Sequence, residues 1–292
     1  MAVANLFQAK EPLKAFLEGV SVEVMPRTLG KIGDMKALYA PGTRVYIAHI
    51  EGTPIAEMRA AAKRLADDGF TVMPHFPARI IRDAAELEDW IRAYAEEAGV
   101  KEALVLAGGR AKPVGSFGDS MQLMQTGLFE KHGYTRLHVA GHPEGSKDID
   151  PKGGTAGVDA ALHWKQDYAT QTGTDMAIVT QFAFAAKPVT DWAERLAGDG
   201  ITLPIHVGIA GPAKLQTLIR FAIACGVGPS LNVLKKRATD LTKLLRPFEP
   251  TEVATALASY KAAHPESLIE RLHLFPLGGI RTAANWLGDK SA

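Results

Sequence analysis

Short apolar or β-branched runs alternate along this chain with longer amphipathic stretches. The apolar runs predict eight strands: Val20–Met25, Arg44–His49, Phe70–His75, Ala103–Ala107, Arg136–Gly141, Asp175–Thr180, Leu203–Gly208 and Arg271–Phe275. Most of these runs are continuous and do not alternate with polar residues. Continuous runs are typical of parallel strands that are covered on both faces of the sheet.

Helical periodicity fills most of the intervals between the strands. In Pro54–Asp68 apolar side chains recur at three- and four-residue spacing, and Gly69 follows as a stop signal. A helical insertion around residues 229–264, interrupted by Pro247 and Pro250, precedes the last strand. The remaining predicted helices are Asp83–Ala98, Ser120–Lys131, Gly157–Thr172, Val189–Gly198, Ala213–Cys225 and Arg281–Leu287.

Eight strand–helix alternations predict parallel strands joined by right-handed crossovers. Eight such units close a (β/α)8 TIM barrel, for which roughly 250 residues are typical, and residues 1–292 are predicted to form one such domain. The alternative is an open doubly wound sheet, which carries a glycine-rich fingerprint after its first strand. Here the first strand ends in Glu23-Val24-Met25-Pro26-Arg27, which lacks that fingerprint, so the barrel is favoured.

Charge and cysteine content exclude several classes of binding partner and structural site. The chain has 33 Lys and Arg against 32 Asp and Glu, so it offers no basic excess for nucleic acids or anionic membranes. The single cysteine, Cys225, excludes a disulfide framework and a cysteine-rich zinc site. The N-terminus carries Lys10, Glu11 and Lys14 where a signal peptide needs an apolar stretch. We therefore expect a cytoplasmic protein that acts on a small molecule.

In a barrel the chemistry lies where strands end and the following loops begin. Glu23 is the sharpest candidate there, because it lies among the apolar residues of the first strand, where an unpaired carboxylate is costly. Burial raises the pKa of a carboxyl and fits it to act as a general acid near neutral pH. The alternative is a glutamate bound to an arginine or to loop amides at the rim.

Two further strand ends carry groups suited to a planar ligand. Gln181 offers an amide donor and acceptor to a ring edge, although an internal hydrogen bond is the alternative role. Gly108 and Gly109 would let a cofactor approach the backbone, or they form a tight turn.

Three histidines also lie at predicted strand ends, namely His49, His75 and His142. Metal-binding barrels often place two histidines on one strand as H-x-H, and no such pair occurs here. No metal site is predicted.

Five segments in order resemble motifs of one enzyme family. Ser21–Pro26 is similar to S-F-E-F-F-P, Met73–Phe76 to A-P-H-L, Leu106–Gly109 to L-R-G-D, Val139–Glu144 to V-A-x-Y-P-E, and Ile178–Phe184 to I-T-Q-F-F-F-D. Taken together they resemble the methylenetetrahydrofolate reductase family, the flavin-dependent barrel enzymes of one-carbon metabolism.

The resemblance implies a (β/α)8 barrel that binds FAD and takes NADH or NADPH as co-substrate. It implies interconversion of 5,10-methylenetetrahydrofolate and 5-methyltetrahydrofolate by ping-pong hydride transfer, with Glu23 as the general acid and Gln181 and Phe184 at the substrate. A homo-oligomer is in keeping with the family. The positions that match FAD contacts are His75, Ala107, Gly108, Gly109, His142 and Lys165.

The chain also departs from the family pattern. Gly109 and Ala107 replace the Asp and Arg of L-R-G-D, His142 replaces the usual Tyr, and Ile149–Gly157 is an insertion. These departures motivate two alternatives. One is a flavin-independent NAD(P)H–folate reductase, and the other is a non-catalytic folate-binding partner of a methyltransferase.

Overall fold

The eight strands form a closed barrel in which each strand neighbours the next in sequence and the last neighbours the first. This closed arrangement confirms the predicted (β/α)8 fold. The computed structural model describes residues 11–224 and 247–291. The strands are β1 (Ser21–Val24), β2 (Arg44–Ile47), β3 (Thr71–Pro77), β4 (Glu102–Leu106), β5 (Arg136–Gly141), β6 (Asp175–Ala183), β7 (Ile205–Ala210) and β8 (Ile269–Phe275).

Helices follow the strands as the periodicity predicts, and residues 11–17 are also helical. The predicted helical insertion around residues 229–264 lies partly outside the described residues, and Cys225 lies outside them as well. The helices are α1 (Pro26–Leu29), α2 (Ile55–Asp67), α3 (Ala84–Ala98), α4 (Ser120–Gln125), α5 (Leu128–Lys131), α6 (Ala156–Thr172), α7 (Lys187–Gly198), α8 (Leu215–Ala224), α9 (Thr251–Ala263) and α10 (Ile280–Ser291).

Most predicted elements are displaced by a few residues at their ends, and two differences are larger. The single helix expected over Ser120–Lys131 is two helices, α4 and α5, because Gly127 between them adopts a left-handed conformation with φ of +66°. The strand β6 continues three residues past the predicted end at Thr180, which brings Gln181 into the strand itself.

Chain contacts divide the protein into two compact units, one of Glu23–Ala140 with Asp159–Ile178 and the other of Met1–Val22, Gly141–Val158 and Val179–Ala292. The single domain expected over residues 1–292 stays a prediction.

In the unit that contains β2 to β4, helix α3 shows how the sequence specifies its core. Asp83 caps the helix by accepting a hydrogen bond from the Glu86 amide at 2.9 Å. Its apolar positions recur at helical spacing and are buried, and Tyr94 among them meets Phe76 of β3 edge to face at 5.6 Å. The residues of the helix that are buried are Leu87, Trp90, Ile91 and Tyr94.

In the other unit, β7 and β8 pair in parallel along most of their length, with His206 opposite Arg271 and Ala210 opposite Phe275. A cluster of aromatic rings includes Phe275, the last residue of β8. It comprises Phe182, Phe184, Phe248 and the partly buried Phe275.

No helix of the described segments is both long enough and apolar enough to cross a membrane.

Candidate functional site

The two faces of β3 carry different chemistry. Phe76 points toward the helices, because its ring packs on Tyr94 of α3 and on Phe129 of α5. Successive side chains of a strand point to opposite faces, so His75 points away from these helices. The strand register aligns His75 with Leu104 of β4, and Leu104 in turn with His138 of β5. The face of the strands opposite the helices therefore carries two imidazoles in one row.

Glu23 of β1 meets His75 on that face. Its Oε2 lies 3.3 Å from Nε2 of His75, and the two side chains are 19% and 9% exposed. The Nε2 atom is buried and makes no hydrogen bond of good geometry, so the contact is an ion-pair distance without hydrogen-bond alignment. The structure thus brings together two residues that the sequence singled out separately. A carboxyl and an imidazole at this distance can exchange a proton.

Below this pair the same face holds a second polar contact. Tyr46 of β2 places its hydroxyl 2.5 Å from Nδ1 of His138, and both side chains are fully buried. The ring of Tyr46 also meets the ring of His75 edge to face at 6.4 Å. Tyr46 and His138 could not be recognised from the sequence, because an isolated polar residue within a strand gives no sign of the residue it faces across the sheet.

His49 lies at the end of β2 and does not share this face. Its Nε2 donates to the Thr53 carbonyl at 3.0 Å, and its ring packs on Trp90 at 5.0 Å. Burial lowers the pKa of His49, and the hydrogen bond to Thr53 partly opposes this. Within residues 11–224 and 247–291 no group of three or more His, Cys, Asp or Glu side chains is placed to hold a metal ion.

The Ala107-Gly108-Gly109 turn follows β4. Gly108 has φ of +92°, and a Cβ atom there would lie 2.9 Å from Cβ of Pro77, so this position requires glycine for reasons internal to the chain. At Gly109 a Cβ atom would meet nothing within 4 Å, and the residue is exposed. Only Gly109 of this pair therefore leaves open space for a ligand.

Arg79, which the sequence analysis did not single out, ties the following loop in place. Its side chain donates to the carbonyls of Arg110 and Gly118 at 2.8 and 2.9 Å, and its amide donates to the Ala107 carbonyl at 2.9 Å. Arg110 itself forms an ion pair with Glu51. The loop is thus fixed at both ends by one arginine.

Lys165 of α6 is buried, with 6% of its surface exposed. Burial lowers the pKa of this lysine to about 8, and the charge of Asp119 opposes the change. In the described part of the chain the ammonium group makes no hydrogen bond or ion pair. Since an unpaired buried charge is costly, this group is suited to receive an anion.

The N-terminus of α6 is capped by the chain itself. The Asp150 carboxylate accepts hydrogen bonds from the Gly157 amide at 2.7 Å and from the Val158 amide at 3.1 Å. These amides would otherwise attract an anionic ligand. Asp150 lies in the inserted segment Ile149–Gly157, seven residues before the amide it caps, so the usual capping spacing gave no signal.

The other predicted site residues belong to the second compact unit. Gln181 is exposed between buried residues of β6, as a ligand-binding amide requires. His142 follows β5 directly, is half-buried, and accepts a turn hydrogen bond from the Gly145 amide on its carbonyl. Phe184 is 5% exposed and packs edge to face on Phe182 and Phe248. This burial gives Phe184 a packing role, and its contact with substrate stays a prediction.

Comparison with known proteins identifies the fold and no family. No protein-family model matches the chain. The structure is similar to an uncharacterized protein from Clostridium thermocellum that binds two copies of 5-methyl-5,6,7,8-tetrahydrofolic acid, with a TM-score of 0.64, 10% identity, and coverage of 97% of this chain and 98% of that chain. At this identity the likeness establishes the barrel fold alone.

A second solved structure is the apo form of the homocysteine methyltransferase MmuM from Escherichia coli. It matches with a TM-score of 0.44 and 13% identity over 96% of this chain and 100% of that chain. A likeness this distant supports no conclusion about function.

Proposed function

We propose that this protein is a flavin-dependent oxidoreductase that interconverts 5,10-methylenetetrahydrofolate and 5-methyltetrahydrofolate, with NADH or NADPH as co-substrate. The observation that carries the proposal is the placement of Glu23. Its carboxyl is partly exposed on an otherwise buried strand, and it lies beside the imidazole of His75 on the face turned away from the helices. A carboxyl so placed can reach a ligand and hold a proton for it.

A reduced folate suits this group. Opening the methylene bridge requires a proton on one folate nitrogen, and a carboxylic acid in hydrogen-bond reach can supply it. Glu23 gives up its proton, the bond between that nitrogen and the bridging carbon breaks, and the resulting iminium carbon accepts hydride. A folate substrate is also in keeping with the ligand of the similar protein from Clostridium thermocellum.

Two features of the described residues support a site for the anionic part of FAD. Lys165 offers a buried ammonium group without an ion-pair partner in the described chain, which a diphosphate would neutralise. Gly109 leaves space beside the turn after β4. FAD, when bound, supplies the hydride. Lys165 would hold the diphosphate, and Arg79 would hold the loop that follows the turn.

A second candidate is the flavin-independent NAD(P)H–folate reductase. One observation favours it: Asp150 already satisfies the amides at the N-terminus of α6, so those amides are not offered to a cofactor phosphate. The absorbance spectrum of the purified protein separates the two candidates. Flavin bands that persist after gel filtration support the flavoenzyme, whereas turnover by colourless protein without added FAD supports the alternative.

The catalytic proposal is tested by Glu23→Gln, with Glu57→Gln on the exposed surface of α2 as the matched control. We expect kcat to fall about 10²- to 10⁴-fold in the first variant, because a positioned general acid contributes about that much. We expect no change in the second. Folate affinity, measured by calorimetry, should stay within about threefold in both variants.

Two outcomes would contradict the proposal. Unchanged turnover in Glu23→Gln would remove this glutamate as the acid. Tight folate binding by the wild type without turnover, with either nicotinamide cofactor and with FAD added, would favour the non-catalytic folate-binding partner of a methyltransferase.

A further inference from the structure

The imidazole of His75 is nearly buried and lies beside a carboxylate. Its side chain is 9% exposed, and its Nε2 atom is buried without a well-aligned hydrogen bond. Within residues 11–224 and 247–291 its one polar contact is the Glu23 carboxylate, 3.3 Å away. In the same described segments His49 also leaves a buried ring nitrogen without a hydrogen bond, so the feature that distinguishes His75 is the carboxylate beside its Nε2 atom.

The neighbouring titratable groups are engaged elsewhere. Tyr46, the residue of β2 on the same face, gives its hydroxyl to His138 of β5. His49, at the end of β2, is bound to the Thr53 carbonyl and stacks on Trp90, although its charge acts on His75. From β4 the residue aligned with His75 is Leu104, which is apolar. In the unit that contains it, Glu23 is therefore the group with which His75 can exchange a proton.

We propose that His75 is a positioning residue that holds a proton for Glu23 and returns it after each turnover. The inference rests on the proposed function, in which Glu23 is the general acid. When Glu23 has given its proton to a folate nitrogen, it is left as a carboxylate. The imidazolium of His75 then passes its Nε2 proton to that carboxylate, becomes neutral, and regains one proton from solvent. One proton is consumed for each hydride transferred, so charge and atoms balance.

The observed geometry suits this exchange. The two atoms are slightly farther apart than a hydrogen bond and are misaligned, and a small side-chain rotation would align them. Catalytic hydrogen bonds are often long before substrate binds and tighten in the complex.

The first test compares His75→Gln with wild type across pH 6 to 9. Glutamine keeps an N–H group that can bind Glu23 but cannot carry a proton. We expect kcat of the variant to fall about 10-fold or more at the alkaline end, with its decline beginning at lower pH than in wild type, and folate affinity to change less than about twofold. His132→Gln is the matched control, because His132 forms a comparable pair with Glu88, at 2.9 Å, elsewhere on the protein.

A second variant separates proton transfer from packing. In His75→Ala, added imidazole should restore part of the lost rate, and the restored rate should follow the concentration of imidazolium. A packing defect would not respond in this way. A His75→Gln enzyme with the wild-type pH profile, together with no rescue of His75→Ala, would overturn the inference.

The last measurement needs no turnover. The ring nitrogens of His75 are followed by NMR at one pH in wild type and in Glu23→Gln. Loss of the carboxylate should shift the Nε2 signal more than the Nδ1 signal, because the carboxylate is the polar contact of Nε2. Unchanged signals would overturn the pairing. If wild type binds folate but shows no turnover, the proposed function fails, and this comparison still decides whether the two residues interact.

Discussion

The region around β2 to β4 and the region around the end of β6 differ in what they bury. The first buries groups that carry protons on the strand face away from the helices. The second buries phenyl rings. The ring centroids of Phe182 and Phe184 are 5.7 Å apart, and those of Phe182 and Phe275 are 5.5 Å apart. The proton-carrying groups of the first region are Tyr46, His75 and His138, with the partly exposed Glu23 beside His75, and Lys165 is a further buried titratable group on helix α6.

The difference shows which measurement applies to which region. A ring packed among rings contributes to stability in a way that hardly depends on pH. A buried titratable group costs or contributes stability according to its protonation state, so its role is visible in a pH profile. The change in the free energy of unfolding should therefore depend on pH for substitutions in the polar region and be independent of pH for substitutions in the aromatic region.

The largest effect is expected in the aromatic region. Phe184→Ala should lower the free energy of unfolding by about 3–5 kcal/mol, because it leaves a cavity among packed rings. Urea denaturation at pH 6 and pH 9 should give the same loss at both. Ile223→Ala, at a position that is 65% exposed, is the control and should change stability by less than about 0.5 kcal/mol.

The same residue tests the predicted substrate contact. Phe184→Leu keeps much of the buried apolar surface, so most of the stability should remain. If KM for the folate is also unchanged, the role of Phe184 is packing alone. A rise in KM without loss of stability would instead support its contact with substrate.

The next effect has the opposite sign. Because burial lowers the pKa of Lys165 from 10.5 to about 8, the unfolded chain binds this proton more tightly than the folded one. The resulting loss of stability is complete below about pH 8 and disappears as the pH rises toward 10.5. Lys165→Met should therefore stabilise the protein at pH 7 by up to about 3 kcal/mol, and the gain should shrink above pH 8.

Lys187→Met is the control for this measurement, since Lys187 is exposed and pairs with Asp191 on the surface. It should change stability by about 0.5 kcal/mol or less. The stabilised Lys165→Met protein should also lose affinity for FAD. If Lys165→Met is no more stable than wild type at pH 7, the buried ammonium group does not destabilise the protein in the absence of an anion, and this prediction is wrong.

The smallest effect sharpens the comparison within the polar region. Tyr46→Phe removes the hydroxyl that binds Nδ1 of His138 and should cost about 1–2 kcal/mol, since it leaves a buried polar atom without this partner. Tyr94→Phe is a close match, because the Tyr94 hydroxyl is buried and has no hydrogen bond among the described residues. It should be neutral or slightly stabilising in thermal denaturation. Equal losses in the two variants would show that the hydrogen bond adds nothing.

The sequence was sufficient to predict the barrel because strand and helix patterns are local. Each apolar run and each periodic stretch can be identified within about ten residues, and the count of eight follows. The split at Gly127 was missed because an isolated glycine does not always end a helix.

The candidate site could be predicted only in part. Glu23 and His75 were each recognisable as polar residues at strand ends. Because β1 and β3 are not neighbouring strands, the proximity of the two side chains depends on a contact past β2 that the sequence does not indicate. Asp119 carried a local signal that could have been used, since Gln122 three residues later completes a capping pattern. The burial of Lys165 carried none, because a lysine on a helix is usually exposed.

Gly115 lets the loop after β4 pack closely against the backbone of Arg82. A side chain at this position would begin 1.8 Å from the carbonyl oxygen of Arg82, and the Ser116 amide bonds that same carbonyl. Arg79 also donates hydrogen bonds to this loop, so residues 79–82 and residues 110–118 are joined at several points. Moving the loop alone would break these hydrogen bonds. Because these contacts join residues 79–82 to residues 110–118, we expect the two segments to move together.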